Sequence, residues 1–391
     1  ALNPPRSRWA RTVRALLWNR LSLGLMAIIP VMGLAEWWAR ATYVHGRQSV
    51  YERADRLLDP YPWKEQFLRD RKGMFGHLGS TYHDYYIAGP RPLESETVNY
   101  RGDYYGAHAC PDSAQPAPGN RRIWFFGGST MENLTTTDEG TLANQAVKVL
   151  NENGVPAEGH NFGFRSFHST LESIKFQDLL RREPPARHPA VAVFYDGYND
   201  AWHSWQEGSG NIMRSFTHPI RIAVERRHGE LIRYALSSWL SERSKFCARF
   251  VEPKLRPWPE KIKPLKPTEE NVARAVEVYL RNTRMLEAIC DEFGITPLFV
   301  LQPLIITKQG RSPEEETALG EERRGRPPFI EAFYRRTREA MKTRKTFVDF
   351  SSVLDHNRQW DFYDMGHTGP ETSVTLGRAM GQTILERLDE P

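Results

Sequence analysis

The sequence predicts an α/β fold: a doubly wound, flavodoxin-like three-layer sandwich in which helices cover both faces of a sheet of about five parallel strands. From residue 122 onward, short apolar runs alternate with amphipathic segments, which is the pattern of repeated βαβ units. The apolar runs are continuous rather than alternating, as in strands that are buried on both faces. A hydrophobic fraction of 40% over 391 residues can fill a large core, so a disordered or fibrous chain is excluded.

The first predicted strand and helix cover residues 123–154. Residues 123–126 form an uninterrupted apolar run that Gly127 and Gly128 end, which indicates a buried strand. Apolar residues then recur at helical spacing as far as Gly154, a residue type that favours the end of a helix. This pattern predicts a strand, a tight turn and an amphipathic helix.

The remaining elements follow the same alternation with one interruption. Residues 201–266 break it with helical and Pro-rich segments and are predicted to be an insertion. The other predicted elements are, in order, an extended piece through Phe162, a helix at 169–182 that begins with the capping box Ser169 and Glu172, a strand at 190–195, a helix between Thr268 and Gly294, strands at 296–302 and 346–350, and a helix at 371–387. Residues 122–391 therefore form the predicted α/β domain.

An extension, residues 41–121, precedes this domain. It is rich in Tyr, Pro, Gly and Arg and has no sustained helical period, so we expect short strands and loops. Its clustered tyrosines are predicted chiefly to pack the extension against the domain. A contact surface for carbohydrate or protein is the alternative.

Residues 16–40 are predicted to be a membrane anchor. The stretch 21–38 is the most apolar in the chain, and tryptophans bracket it like the aromatic belts of a bilayer span. The basic tail 1–15 has no acidic residue, so the positive-inside rule places it in the cytoplasm. The main domain would then lie on the outer, periplasmic face of the inner membrane. A cleaved signal peptide is the alternative, because residues 39–41 resemble an A-x-A cleavage site.

The charge distribution excludes nucleic acid as a predicted partner. Residues 1–40 hold six arginines and one glutamate, which accounts for the whole formal net charge of +5. The remaining chain carries 47 basic and 47 acidic residues, whereas a nucleic-acid-binding domain needs a basic face on its folded body.

No metal or organic cofactor is expected. The three cysteines, Cys110, Cys247 and Cys290, lack the spacing of a zinc site, and one disulfide between two of them is open in an oxidising compartment. Single histidines such as His168 and His203 have no second ligand at metal spacing, so we expect them to be packing or surface residues.

Polar residues follow the predicted strands at the edge where their carboxyl ends meet. Ser129 follows the first strand, and Asp364 and His367 lie on the loop after the last. A serine hydroxyl becomes a nucleophile when a base accepts its proton, and a carboxylate orients that base. The three-residue spacing lets Asp364 reach one ring nitrogen of His367 while the other faces Ser129. We therefore predict a catalytic triad of these three residues.

Negative charge that develops on a carbonyl oxygen needs hydrogen-bond donors, which together form an oxyanion hole. Asn199 follows the third strand and is the natural side-chain donor, and the backbone N–H of Ser129 is a second. A third donor is expected in the loop after the second strand, residues 161–166. Asp196 and Asp200, beside Asn199, are expected to bond loop backbone.

These motifs resemble the blocks of the SGNH (GDSL-like) hydrolase superfamily. Residues 126–130 resemble the first block, with glycine where many members have aspartate, 197–200 resemble the third, and 364–367 resemble the last. The resemblance covers about residues 122–387. It implies the same nucleophile, the same two other triad members and the same asparagine as oxyanion donor.

The second block departs from the family pattern. Residues 161–163 begin it as expected, but Ser166 stands where the family has the glycine that supplies a backbone oxyanion donor. Serine keeps the N–H group, yet it resists a positive φ if the loop requires one. Gly163 is the alternative donor if the alignment shifts.

The sequence therefore predicts a membrane-anchored, exported serine esterase or acyl-hydrolase that contacts the lipid bilayer through residues 16–40. Its substrate would be a small ester or an acylated glycan or lipid. The alternative is a catalytically idle SGNH-fold structural subunit that docks on the outer face of a larger membrane complex, for example a respiratory or photosynthetic one, because folds are reused without their chemistry.

Overall fold

The computed structural model describes residues 30–41, 48–74, 80–208, 214–256, 264–322, 326–355 and 358–389. The described residues belong to two compact units. One unit draws on Ala1–Gln48 and Ser215–Glu260, and the other draws on Ser49–Arg214 and Lys261–Pro391. The second unit contains the sheets and the predicted site.

The strands of the second unit are β1 Ser80–His83, β2 Ile87–Pro90, β3 Tyr100–Arg101, β4 Ala107–His108, β5 Arg121–Gly127, β6 Ala157–Asn161, β7 Val191–Asp196, β8 Thr296–Leu301 and β9 Phe347–Asp349. β1 and β2 pair with each other, and the other seven form one sheet in the order β3-β4-β6-β5-β7-β8-β9. The five strands from β5 to β9 are parallel, whereas β3 and β4 form an antiparallel edge. The predicted sheet of about five parallel strands is confirmed, and its order is second, first, third, fourth, fifth, which is flavodoxin-like.

The described helices are α1 Gln48–Leu57, α2 Lys64–Asp70, α3 Ser129–Glu132, α4 Leu142–Glu152, α5 Ser169–Arg182, α6 Tyr198–Glu207, α7 Arg214–Val224, α8 His228–Arg243, α9 Glu252–Leu255, α10 Glu269–Phe293, α11 Pro313–Gly320, α12 Arg326–Met341 and α13 Pro370–Asp389, besides helical residues 30–41. In the second unit α4 packs against α13, and α10 packs against α5, α6 and α12. The crossover from β5 to β6 runs through α4, and the crossover from β6 to β7 runs through α5 in the opposite direction across the sheet. Because both crossovers are right-handed, α4 and α13 lie on one face of the sheet, and α5, α6, α10 and α12 lie on the other.

The core lies between these layers and the central strands. Every residue of β7 is buried, as are the last five of β5, which explains their unbroken apolar sequence. Phe126 of β5 stacks on Phe194 of β7 at a centroid distance of 5.1 Å, and Phe194 stacks on Phe299 of β8 at 5.4 Å. These aromatic contacts hold adjacent strand ends in register below the predicted site.

The predicted ends of α10 are confirmed, and the predicted start of α5 is wrong in its detail. The Thr268 side chain accepts a hydrogen bond from the backbone N–H of Asn271, and the helix ends at Gly294 with φ of 65°. In α5, by contrast, the Ser169 hydroxyl donates to Asp200 instead of capping its own helix, and Glu172 is buried in the core. A tertiary acceptor has displaced the local capping interaction.

The extension contributes α1, α2 and β1 to β4, and its clustered tyrosines differ in burial, with Tyr105 half-buried. Tyr86, Tyr100 and Tyr104 are buried, as the packing prediction requires, whereas Tyr82 and Tyr85 are exposed. All three cysteines are buried and free.

In the first unit, the helical residues 30–41 pack against the part of the insertion that follows α8. The Glu36 carboxylate accepts a hydrogen bond from Ser244 Oγ at 2.6 Å, and Trp38 stacks on Phe250 with ring centroids 5.8 Å apart. The predicted insertion therefore shares a compact unit with the end of the predicted anchor.

Most of the predicted anchor, residues 16–29, lies outside the described residues. Within the described ranges, no helix has both the length and the apolar character needed to cross a bilayer.

Candidate active site

Ser129 lies at the point where β5 ends and α3 begins, and two glycines shape the turn before it. A Cβ atom on Gly127 would lie 2.6 Å from Met131 Cβ, and one on Gly128 would collide with Asn199 Nδ2. The two glycines therefore let α3 fold tightly against the strand end and let the Asn199 amide approach the backbone beside Ser129. The half-buried Ser129 side chain is left at the edge of the sheet.

The predicted triad residues are in hydrogen-bond contact. Ser129 Oγ lies 2.6 Å from His367 Nε2, and His367 Nδ1 lies 2.9 and 2.8 Å from the two carboxylate oxygens of Asp364. The side chains of His367 and Asp364 are 19% and 20% exposed, so the pair is largely buried but still accessible from solvent. This geometry can move a proton from the hydroxyl to an imidazole that a carboxylate orients.

Asp364 is held as an oriented anion by its own loop. Its Oδ1 atom also accepts hydrogen bonds from the backbone N–H groups of Gly366 at 3.0 Å and His367 at 2.9 Å. Desolvation raises the pKa of Asp364, but the charge and hydrogen bonds of His367 and these N–H donors outweigh it, so the pKa lies below its usual value. The carboxylate is therefore ionised at neutral pH.

Tyr363 packs against the His367 imidazole. Its ring stacks on the His367 ring with centroids 5.5 Å apart and an interplanar angle of 17°. Its backbone N–H donates to the carbonyl of His367 at 3.1 Å, which closes the turn that carries the triad histidine. Sequence reasoning missed this residue, although it directly precedes the D-x-x-H motif.

Asn199 also lies beside Ser129. Its Nδ2 donates one hydrogen bond to the carbonyl of Phe167 at 2.6 Å, which leaves a second amide hydrogen for another acceptor. Among the described residues, neither the Ser129 N–H nor the Ser166 N–H donates a backbone hydrogen bond. A Cβ atom on Gly128 would meet both the Asn199 amide and the Phe167 carbonyl. The segments that carry Ser129, Ser166 and Asn199 therefore come together at Gly128.

Ser166 adopts a left-handed backbone conformation, which glycine tolerates far better than other residues. Its φ is 66°, in the left-handed region, where a residue with a Cβ atom is disfavoured by about 1 to 2 kcal/mol. Ser166 therefore has the positive φ that a serine at this position was expected to resist.

A buried ionic cluster around Glu132 restrains this loop. Glu132, at the end of α3, is fully buried and accepts a hydrogen bond from the Arg165 backbone N–H at 2.7 Å. The Arg165 guanidinium pairs with the same carboxylate, and the Tyr100 hydroxyl donates to it at 2.9 Å. The cluster ties the residue before Ser166 to the helix that begins at Ser129. Sequence reasoning missed Glu132 and Arg165, because they lie 33 residues apart and no local pattern links them.

Gly163, the alternative donor from the sequence, has another role in this structure. Its N–H donates to Asn161 Oδ1 at 2.9 Å, so the group is already engaged. A Cβ atom at this position would lie 2.7 Å from the backbone nitrogen of Glu132. Gly163 therefore lets the loop approach α3, and Ser166 is the better candidate for the backbone donor.

Three carboxyl groups are buried behind Asn199. Asp200 accepts hydrogen bonds from the Ser169 backbone and hydroxyl, in line with its predicted role in bonding loop backbone. Asp196 instead faces Glu172, neither of whose oxygens accepts a hydrogen bond from a described donor. Burial first, and then the neighbouring carboxylates, raise the pKa of Glu172 and Asp196 well above their usual values.

The histidines near the site are packing residues, as predicted. His168 and His203 are buried with ring centroids 5.3 Å apart, and burial lowers the pKa of His168 to about 3 and that of His203 to about 4. His160 stacks on Tyr104 at 4.0 Å. In the described part of the chain, no group of His, Cys, Asp and Glu side chains is arranged to hold a metal ion.

The chain is similar to solved structures that are named as lipases and esterases. They are a GDSL-like lipase from Bacteroides thetaiotaomicron VPI-5482 (13% identity, covering 71% of this chain and 94% of that chain, TM-score 0.34), an acetylxylan esterase from Geobacillus stearothermophilus (11%, 70% and 98%, 0.36) and a psychrotrophic esterase from Pseudoalteromonas sp. (9%, 69% and 100%, 0.36). No family model and no curated protein matches the chain. The roles assigned to individual residues therefore rest on the geometry described above.

Proposed function

We propose that this protein is a serine ester hydrolase of the SGNH type. The observation that carries the proposal is the unbroken hydrogen-bonded chain from Ser129 through His367 to Asp364 at the carboxyl edge of the sheet. A docking subunit does not need such a chain, and chance packing rarely orders three polar side chains from distant segments in this way. Small esters, acetyl esters first, are the proposed substrate class, with an acylated glycan or lipid as the natural form.

The geometry supports a two-step acyl transfer. Ser129 Oγ attacks the ester carbonyl carbon while His367 Nε2 accepts the hydroxyl proton, and Asp364 stabilises the resulting imidazolium. The oxyanion accepts hydrogen bonds from the N–H groups of Ser129 and Ser166 and from the Asn199 amide. His367 then protonates the departing alcohol. Water, deprotonated by His367, hydrolyses the acyl-serine and releases the acid.

A fluorophosphonate probe tests the proposal directly. It should label the wild-type chain at Ser129, and p-nitrophenyl acetate should be hydrolysed faster than its longer acyl homologues. Ser129→Ala removes the nucleophile, and Ser113→Ala, at a serine outside the triad, is the matched control. A folded wild-type protein that reacts with neither reagent would overturn the proposal.

The rival function, an idle structural subunit of a membrane complex, predicts a different result. Such a subunit would migrate with a large assembly in mild-detergent native electrophoresis and would not react with the fluorophosphonate. A labelled protein that migrates alone would exclude this role.

We also propose that the chain is attached to the inner membrane through residues 16–40, with its α/β domain on the periplasmic face. On the described part of that segment, Val31, Leu34 and Trp37 are each about two-thirds exposed, so an apolar surface is available to lipid. Extraction of membranes with alkaline carbonate should leave the full chain in the pellet. Release of the chain, or a mature N-terminus near residue 42, would contradict attachment.

A further inference from the structure

The N-terminal extension contacts the back of the loop that carries Asp364 and His367. Leu57 of α1 lies against Gly369, where an added Cβ atom would be 3.4 Å from the leucine side chain. The Arg56 guanidinium lies 5.3 Å from the centroid of the Trp360 ring. Helix α1 therefore borders the loop on both sides of the triad residues.

Arg53 lies on the same helix. Among the polar contacts described for α1, its contact is the one that reaches the segment 363–367, which carries Asp364 and His367. The residue is only 5% exposed although it carries a charge. Its Nε donates a hydrogen bond to the carbonyl of Tyr363 at 2.8 Å, and its Nη1 pairs with Glu321 Oε2 at 2.9 Å. A buried guanidinium with these two partners is held in one geometry.

The Tyr363 carbonyl occupies a sensitive position. It belongs to the same planar peptide unit as the N–H of Asp364, so fixing its direction fixes where the Asp364 backbone begins. Tyr363 also stacks on the imidazole and closes the turn to His367. The orientations of both triad residues therefore depend on this peptide.

We propose that Arg53 is a positioning residue for the triad, acting through the Tyr363–Asp364 peptide. The inference rests on the proposed ester hydrolase function and deepens it, because it makes the extension part of the catalytic apparatus. Arg53 touches neither the substrate nor the reacting atoms. Its hydrogen bond keeps the Asp364 carboxylate facing His367 Nδ1 and the imidazole facing Ser129.

The test compares Arg53→Gln with Arg71→Gln. Arg71 is a matched control, because its guanidinium is also sheltered in the extension and bonds Asp55 of α1 at 2.7 Å without touching the triad loop. Arg53→Gln should lower kcat about 10- to 100-fold with KM within about twofold, as a small displacement of reacting groups does. Arg71→Gln should keep kcat within about threefold of wild type.

Two further measurements separate positioning from general damage. In Arg53→Gln the acidic limb of the kcat/KM profile should move to lower pH, because a misdirected carboxylate holds the imidazolium less firmly. Added ethylguanidine should restore part of the activity of Arg53→Ala. Wild-type kcat in Arg53→Gln, or a loss that matches Arg71→Gln with an unchanged pH profile and no rescue, would overturn the inference.

A readout without turnover keeps this inference distinct from the proposed function. The proton between His367 Nδ1 and Asp364 should give a low-field proton resonance in the wild type that shifts or broadens in Arg53→Gln and not in Arg71→Gln. A wild-type protein that is inert to esters and phosphonates would refute the hydrolase. An unaltered resonance in Arg53→Gln would refute the positioning role alone.

Discussion

The two loops that flank Ser129 are organised on different physical principles. On the triad side, side chains meet side chains at 2.6 to 2.9 Å, and backbone donors reinforce the carboxylate. On the side of the proposed oxyanion hole, the proposed donor is the backbone N–H of Ser166, a residue in the left-handed conformation. The first arrangement depends on where the backbone places three side chains, whereas the second depends on a single φ angle.

Both loops are tied to distant segments of the chain, the proposed oxyanion loop through a buried ion pair. Glu132 and Arg165 tie it to the nucleophile helix, and the Asn161 side chain engages Gly163. The triad loop is also tied to other segments, through the Ile305 N–H on the Met365 carbonyl and the Thr135 hydroxyl on the Thr368 carbonyl. The buried Glu315 carboxylate accepts a hydrogen bond from the Phe362 N–H, and Arg53 donates one to the Tyr363 carbonyl. The contrast predicts that changes to the triad residues act through the altered side chain itself, whereas changes to the oxyanion loop act through the direction of a backbone donor.

The largest expected effect is on the triad side. Asp364→Asn should lower kcat by about 10⁴-fold, because an amide donates where the carboxylate accepted and favours the wrong imidazole tautomer. Steady-state hydrolysis of p-nitrophenyl acetate measures it, with Asp59→Asn, a surface carboxylate paired with Lys64, as the control. A loss below about tenfold would mean that Asp364 is dispensable and would remove the basis of the comparison.

The next effect is on the oxyanion side. Asn199→Ala should lower kcat by roughly 10² to 10³ with little change in KM, because the amide acts on charge that exists only in the transition state. Asn153→Ala, at the exposed end of α4, is the control and should leave kcat unchanged. An intact kcat in Asn199→Ala would show that the amide serves only the Phe167 carbonyl.

The buried carboxyl groups behind Asn199 predict a pH-dependent stability. Because the pKa of Glu172 is raised in the folded state, the folded chain binds more protons than the unfolded chain above about pH 4.5, so stability falls as pH rises. Glu172→Gln replaces the titratable carboxyl with an amide that stays uncharged at every pH. It should stabilise the fold by about 1 to 3 kcal/mol at pH 8, with little effect at pH 4.

Thermal unfolding of Glu172→Gln across this pH range makes the measurement, with exposed Glu152→Gln as the control. Parallel pH profiles for Glu172→Gln and wild type would show that the Glu172 carboxyl does not hold an extra proton in the fold.

The smallest effect concerns Ser166. Ser166→Gly relieves the left-handed strain of about 1 to 2 kcal/mol but adds a glycine entropy cost of about 0.5 to 1 kcal/mol, so a net stabilisation of about 0 to 1.5 kcal/mol is expected. Chemical denaturation measures it, and Ser166→Ala, which keeps the strain, is the comparison. A kcat that falls in both variants would assign a role to the hydroxyl instead of the backbone.

Much of the fold could be predicted because its signals are local. The apolar runs at 123–126 and 190–195 identified two central strands, and Thr268 and Gly294 marked the ends of α10, since each depends on neighbouring residues alone. The capping box at Ser169 failed because Asp200, a residue from another element, offered the hydroxyl a better acceptor. The edge strands β3 and β4 are too short to leave a pattern.

By itself the sequence determined which side chains could meet: Ser129, Asn199, Asp364 and His367 follow parallel strands, and parallel strands bring their carboxyl ends to one edge. Only the tertiary structure decided what supports them, including the left-handed Ser166, the buried Glu132 and the contact of Arg53 with Tyr363. The reason is physical. A strand or a motif arises from interactions within a few residues, whereas a buried charge finds its partner wherever the folded chain presents one, and Arg53 finds it 310 residues away.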